Sequence, residues 1–150
     1  MEITIRAMKE SDVGALHRLL SDPAVMRYLE TPFDREKTED FLRQAGLSEQ
    51  PLVYAAEKDG SFVGYVIYHA YDERSVEIGW VLLPEYWGQG LACALTDRLT
   101  AKAGQEGKDA VIECVPEQRV TKHIARKKGF IPCASRDGLE VYRLEHQEKN

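Results

Sequence analysis

The sequence has 150 residues, of which 43% are apolar and 30% charged, a composition typical of one globular domain with a buried core. No apolar stretch is long enough to cross a bilayer, so we expect no membrane partner. The formal net charge of −5 gives no attraction for phosphate backbones, so we expect no nucleic-acid partner. We therefore predict a single domain over residues 1–150.

The first third of the chain predicts a strand followed by two helices. The segment ITIRAM alternates in polarity as a strand does. Ser11 or Asp12 can cap the first helix, and the second begins at Asp34 and ends at Gly46. The apolar residues at helical spacing are Val13, Leu16 and Leu20 in the first helix and Phe41, Leu42 and Ala45 in the second.

The middle of the chain predicts three strands. PLVYAAEKDGSFVGYVIYHAY indicates two strands around the turn Lys58-Asp59-Gly60, and the second is apolar on both faces, as in a central strand. SVEIGWVLL indicates a third strand, because its side chains alternate between two faces. One face carries Val76, Ile78, Trp80 and Leu82, and the other carries Glu77, Gly79 and Val81.

The last third predicts a helix, a strand, a short basic helix and a hairpin. Leu91, Leu95 and Leu99 lie at helical spacing, and residues 109–115 indicate a strand. The basic helix ends at Gly129, and FIPCAS and LEVYRLE flank the hairpin turn Arg136-Asp137-Gly138. This order of elements predicts an α+β or mixed α/β sheet.

The chain start and the cysteines indicate a reducing compartment. MEITIRAMKE lacks the apolar run of a signal peptide, so we expect a cytoplasmic protein. Cys93, Cys114 and Cys133 are odd in number and have no CxxC spacing. We expect small buried apolar residues that form neither a disulfide nor a zinc site.

The segment PEYWGQGLA joins a predicted strand to a predicted helix. Backbone N–H groups at a helix start attract anions, and Gly88 and Gly90 let an anion approach the backbone closely. No Gly-Lys-Ser/Thr follows, which excludes a Walker A loop, and the last glycine of a dinucleotide fingerprint would fall on Cys93. A tight turn that needs glycines is the simplest alternative.

The longer segment EIGWVLLPEYWGQGLACAL resembles the coenzyme A-binding motif of the GNAT N-acetyltransferases. It is most similar to the branch of ribosomal-protein N-terminal acetyltransferases. The family pattern Gln/Arg-x-x-Gly-x-Gly/Ala matches at Gly90 and Ala92, with Trp87 at the Gln/Arg position. VMRYLE and PEQRVTKHIARKKGF extend the resemblance over most of the chain. It implies a mixed, mostly antiparallel sheet of six or seven strands flanked by about four helices.

The resemblance also implies which residues bind acetyl-CoA, the acyl-donor substrate, without a metal. The backbone amides that would surround the pyrophosphate are those of Gly88, Gln89, Gly90, Leu91 and Ala92. Backbone groups of Val81, Leu82 and Leu83 would pair with the pantetheine arm, as an added strand would. Gln118 stands where the related branch carries an asparagine and is a further cofactor-binding candidate.

The implied reaction is direct attack of a primary amine on the thioester, which requires proton transfers. Glu77 is the candidate base, because partial burial in an apolar strand would raise its pKa. The alternative is a structural carboxylate paired with Arg74 or Arg6. Thr121 is the candidate proton donor to the leaving thiolate, since Ala125 replaces the tyrosine of many family members. The alternative is a threonine that faces the core beside Val120 and Ile124.

Tyr28, Glu30 and Phe33 are candidate acceptor-binding residues, and the alternative is that Tyr28 and Phe33 only cover the core. The acceptor is a protein N-terminus or a small-molecule amine, and the protein a monomer or homodimer. No histidine is assigned a role. Two other functions stay open. One is a non-catalytic acyl-CoA binding or sensing domain on the same fold. The other is a nucleotide-binding module.

Overall fold

The computed structural model describes residues 2–147, which form a seven-stranded mixed sheet and five α-helices. The strands are β1 (Ile3–Arg6), β2 (Val53–Lys58), β3 (Ser61–Ala70), β4 (Ser75–Leu82), β5 (Asp109–Cys114), β6 (Ile131–Arg136) and β7 (Leu139–Leu144). The helices are α1 (Val13–Leu20), α2 (Pro23–Met26), α3 (Arg35–Phe41), α4 (Leu91–Gln105) and α5 (Arg119–Lys127). The predicted fold class is confirmed. The helix absent from the prediction is α2, a single turn capped by the side chain of Asp22.

The strand order in the sheet is β1-β2-β3-β4-β5-β7-β6. The β1–β2, β2–β3, β5–β7 and β6–β7 pairs are antiparallel, whereas β4 and β5 are parallel. The parallel ladder runs only from Ser75, opposite Asp109, to Glu77, opposite Val111. Glu77 therefore lies where β4 leaves its ladder with β5.

The chain folds into two compact units, and strands β3 and β4 each contribute to both. The first unit contains residues 2–67 and 80–91. Its core lies between β2, β3 and β4 on one side and α1 and α3 on the other. The principal buried residues are Leu16, Leu19, Leu20, Phe33, Leu42, Val53, Ala55, Tyr65, Val81 and Leu83. The helix α3 continues through a π-type turn, Leu42–Gly46, which ends at the predicted glycine.

The second unit contains residues 68–79 and 92–147. Strand β5 runs along β7, and both have side chains that are almost completely buried. The predicted leucines Leu95 and Leu99 of α4 are also buried, as amphipathic helix packing requires. None of the described helices is long and apolar enough to cross a membrane.

Both predicted hairpin turns form with left-handed residues. Asp59 and Gly60 have φ values of 50° and 84°, and Asp137 and Gly138 have 50° and 81°. Asp-Gly is favoured in such turns because both residues tolerate positive φ at low cost. The prediction for the cysteines is only partly right. Cys114 is buried, but Cys93 is half-buried and Cys133 is exposed on strand β6.

Candidate functional site

The glycine loop between β4 and α4 keeps open space beside its backbone. Gly88 and Gly90 have φ values of 73° and 80°, and a Cβ added at either would meet nothing within 4 Å. Within the described part of the first unit, no group accepts a hydrogen bond from the main-chain N–H of Gly88, Gln89 or Gly90. Such N–H groups, placed before the 15-residue helix α4, form an environment suited to an anion.

Trp87 connects this loop to strand β4 through a hydrogen bond. Its indole N–H donates to the Leu82 carbonyl at 2.9 Å, although the side chain remains 49% exposed. The Leu83 N–H donates to the Val63 carbonyl at 2.8 Å. The Leu83 carbonyl in turn accepts from the Tyr86 N–H at 2.9 Å, so three of the backbone groups predicted to serve the pantetheine arm already have protein partners. The Leu82 carbonyl keeps a second lone pair for another donor.

Lys58 is a functional candidate that sequence reasoning missed. No lysine or arginine lies between Val81 and Thr96, so the loop itself has no cation. At the end of β2, however, the Lys58 Nζ donates to Gln89 Oε1 at 2.8 Å. The Gln89 side-chain amide in turn donates to the Glu85 carbonyl at 3.0 Å. The sheet therefore places a positive charge beside the glycine loop from a distant point in the chain.

Glu77 lies half-buried on β4 in the second unit. Burial raises the pKa of its carboxyl, nearby His69 opposes that rise, and Glu113 adds to it. His69 Nε2 lies 3.7 Å from Glu77 Oε1, and it is the ion-pair partner of Glu77 among the described residues. The alternative pairing with Arg74 or Arg6 is therefore wrong. Arg6 instead binds Asp12 and Glu57.

A polar pocket of about 330 Å³ lies beside this pair. His69, Tyr71, Glu113, Arg136 and Leu139 contribute to its lining. Tyr71 donates its hydroxyl to Glu113 at 2.6 Å, and Arg136 donates to the Tyr71 oxygen at 3.4 Å. Sequence reasoning assigned His69 no role. The available signal was its position next to the short β3–β4 turn, which brings His69 opposite Glu77.

Gln118 and Thr121 lie at the start of helix α5 in the second unit. Gln118 Oε1 accepts a hydrogen bond from the Val115 N–H at 3.0 Å, which holds the turn before the helix. Thr121 is half-buried. The alternative that places Thr121 beside a core-facing Val120 is wrong in part, because Val120 is 71% exposed while Ile124 is buried.

The candidate acceptor residues lie in the first unit around the start of α3. Phe33 is buried and packs edge-on against Phe41, with ring centroids 6.0 Å apart. The Glu30 carboxylate accepts from Lys37 Nζ at 2.7 Å, and the same ammonium lies 4.5 Å from the Phe33 ring centroid. Phe33 is thus a core residue, and a local cation balances Glu30. Tyr28 is half-buried, with the Arg27 guanidinium 5.0 Å from its ring centroid.

The residues that the sequence predicted for the site are divided between the two units. The first unit holds Val81, Leu82, Leu83, Gly88, Gln89, Gly90 and Leu91, together with Tyr28, Glu30 and Phe33. The second unit holds Glu77, Ala92, Gln118 and Thr121. Among residues 2–147, no group of three or more His, Cys, Asp or Glu side chains could hold a metal ion.

Comparison with known proteins places this geometry in context. Residues 2–131 match the family model of the acetyltransferase (GNAT) domain. An uncharacterized N-acetyltransferase of Bacillus subtilis strain 168, YnaD, is 27% identical over 138 residues, covering 85% of this chain and 81% of that protein.

Many solved structures match this chain, and two of them show the similarity of fold. A GNAT-family acetyltransferase from Bacillus anthracis superposes with a TM-score of 0.81 at 23% identity, covering 97% of this chain and 95% of that one. RimL, a ribosomal L7/L12 α-N-protein acetyltransferase solved in complex with coenzyme A, has a TM-score of 0.77 at 21% identity, covering 96% of this chain and 94% of that one.

Proposed function

The chain belongs to the GNAT acetyltransferase domain family, and we propose that it transfers the acetyl group of acetyl-CoA to a primary amine. The acceptor class is a protein N-terminus or a small-molecule amine. The observation that carries the proposal is the glycine loop before α4, with positive φ at Gly88 and Gly90 and open space beside both. A diphosphate needs this combination of free amides and missing side chains.

In this proposal the amides of Gly88, Gln89, Gly90, Leu91 and Ala92 bind the diphosphate. Lys58 supports them, because its ammonium already contacts the side chain of Gln89. Its positive charge would reduce the electrostatic repulsion between the diphosphate and this acidic protein. Val81 and the second lone pair of the Leu82 carbonyl serve the pantetheine arm. Leu83 contributes the second lone pair of its carbonyl, since its N–H donates to the Val63 carbonyl and its own carbonyl already accepts from the Tyr86 N–H.

Bound acetyl-CoA supplies a thioester that an unprotonated amine can attack. Glu77 removes a proton from the incoming ammonium, a role that its raised pKa favours at neutral pH. Thr121 carries a hydroxyl that can give a proton to the leaving sulfur. Gln118 holds the turn before α5 through Val115 and thereby positions Thr121.

The acceptor pocket remains a proposal built on Tyr28 and Glu30, with Phe33 supporting them from the core. Glu30 would attract the ammonium of an acceptor in exchange for Lys37, its present partner. A cytoplasmic location and a monomeric or homodimeric state also remain predictions.

The cofactor site is tested by a pair of matched glycine variants. Gly90→Val fills the space proposed for the diphosphate, so we expect its dissociation constant for coenzyme A to rise at least about tenfold in calorimetry. Gly107→Val is the control. Its φ of 70° and empty surroundings impose a similar backbone cost far from the glycine loop in sequence. Equal affinities of the two variants for coenzyme A would refute the site.

The chemistry is tested by thiol release. The wild-type protein is incubated with acetyl-CoA and a set of primary amines, and Glu77→Gln is measured in parallel. We expect Glu77→Gln to lower turnover by about a hundredfold, the usual contribution of a general base, while coenzyme A binds as before. Binding without thiol release for every amine would favour the alternative, a non-catalytic acyl-CoA sensor.

A further inference from the structure

The orientation of the His69 ring is determined by its neighbours. Its Nδ1 lies 3.0 Å from the Ala70 carbonyl oxygen, and a carbonyl oxygen only accepts hydrogen bonds. Nδ1 therefore carries the proton in the neutral ring. The other nitrogen, Nε2, is left with its lone pair and lies 3.7 Å from Glu77 Oε1. A proton on His69 Nε2 is consequently attracted by the Glu77 carboxylate, and a proton on Glu77 is attracted by the Nε2 lone pair.

The hydrogen bond between the Tyr71 N–H and the Ser75 carbonyl sets this arrangement. It fixes the register of the short β3–β4 turn, so that His69 stands across from Glu77. Both side chains are mostly buried, with 26% and 22% of their surfaces exposed. Partial burial strengthens the electrostatic interaction of the two groups relative to a fully hydrated pair.

Strands β5 and β6 and the turn after β3 present the other charged and titratable groups near this pair. Glu113 acts on Glu77 as a like charge and raises its pKa, which favours a shared proton. The Tyr71 hydroxyl donates to Glu113, and the Arg136 guanidinium donates to Tyr71, so Glu113 already has a donor. His69 and Glu113 both act on Glu77 and both line the pocket, but His69 is the one that pairs with the Glu77 carboxylate, whereas Glu113 already accepts the Tyr71 hydroxyl.

The imidazole of His69 contacts Glu77 and also lines the pocket. The pocket has a volume of about 330 Å³, and Ala70 and Asp137 complete its lining. A space of this size exceeds that needed by several water molecules, whose share of liquid volume is roughly 30 Å³ each. A proton held on His69 can therefore pass to water through this pocket.

We propose that His69 is a positioning residue of the acetyl transfer, which accepts through Nε2 the proton that Glu77 removes from the amine and passes it to the pocket. The inference rests on the proposed function. Of the three protons of the acceptor ammonium, one leaves by this route, one passes to the sulfur, and one stays on the amide. The new C–N bond forms as the C–S bond breaks, so the reaction releases one proton to solvent.

The first test compares pH profiles of kcat/KM for a single amine. We expect His69→Gln to lower kcat/KM about tenfold and to move the rising limb to higher pH, because the carboxylate of Glu77 loses the neighbour that lowers its pKa. His123→Gln, on the exposed face of α5, is the matched control and should leave the profile unchanged. A profile of His69→Gln that coincides with wild type would overturn the proposal.

The second test is chemical rescue, which separates a proton-transfer role from a structural one. His69→Ala enlarges the pocket by the volume of an imidazole ring. Added imidazole should therefore raise the kcat/KM of this variant several-fold, in a concentration-dependent way. No rescue, in a variant whose circular dichroism and affinity for coenzyme A match wild type, would contradict the inference. Absence of thiol release by the wild-type protein would instead contradict the proposed function.

Discussion

At the scale of single residues, Asp12 differs most from its predicted role. It stands at the predicted cap position of α1, but its carboxylate accepts no hydrogen bond from that helix. Instead it accepts two from the Arg6 guanidinium, at 2.8 and 2.9 Å, and one from the Lys9 N–H at 2.7 Å. Asp12 thereby connects β1 to the turn before α1 with only 8% of its side chain exposed.

We predict that Asp12→Asn lowers the free energy of unfolding by about 2 kcal/mol, because hydrogen bonds to a charged, mostly buried carboxylate contribute more than neutral ones. Urea denaturation measures this difference. Asp40→Asn is the control, since Asp40 of α3 pairs with Arg43 of the following π-type turn on an exposed surface, and loss of this pair should cost less than about 0.5 kcal/mol.

The contribution of Asp12 to the free energy of unfolding should decrease at acidic pH. The hydrogen bond from Arg6 lowers the pKa of Asp12 below 3.8, its ordinary value. A carboxyl with a depressed pKa in the folded state stabilises above its unfolded pKa and loses this effect as pH falls. The stability difference between wild type and Asp12→Asn should therefore be constant near neutrality and shrink as the pH falls below about 4. A difference that grew on acidification would contradict this assignment.

At the scale of elements, the contact between β3 and β4 depends on Gly64. Its φ is 154°, and a Cβ added there would lie 2.0 Å from the Val81 carbonyl oxygen and 2.9 Å from the Leu82 Cα. No side chain fits at that distance. Strand β4, which carries the predicted pantetheine-binding groups, can therefore approach β3 this closely only because Gly64 has no side chain.

We predict that Gly64→Ala costs about 2 kcal/mol or more in thermal or urea unfolding and also weakens coenzyme A binding, because Val81 and Leu82 must move. Gly14→Ala, within helix α1, is the matched control. A Cβ at Gly14 meets nothing within 4 Å, so the change should stabilise by about 0.5 kcal/mol. A neutral Gly64→Ala would show that β4 is not held there.

At the scale of the whole molecule, the net charge of −5 affects the two substrates in opposite ways. An acidic protein attracts a cationic amine and repels the polyanionic coenzyme A, and salt screens both effects. Lys58, beside the glycine loop, is a local exception to this field.

We predict that kcat/KM for a cationic amine falls about threefold between about 20 mM and about 500 mM salt, at saturating acetyl-CoA. An acceptor of similar size that carries a carboxylate near its amine should show a smaller decrease. Steady-state kinetics over a salt series measures both. An increase for the cationic amine would contradict electrostatic attraction by the whole protein.

The sequence alone determined the features that depend on neighbours along the chain. Hydrophobic patterning and the turn residues together identified the seven strands and the longer helices, and β6, whose residues are all exposed, followed from its hairpin turn. The Asp-Gly turns followed from tolerance of positive φ. The glycine loop pointed to the right family through a local motif.

Only the tertiary structure decided which distant side chains meet. Lys58 reaches Gln89, and Arg6 reaches Glu57, because the fold brings segments that are distant in the chain to the same place. His69 faces Glu77 because a turn register sets them opposite each other. Periodicity carries no information on such pairings, since the energy of a charge pair depends on distance and burial in three dimensions.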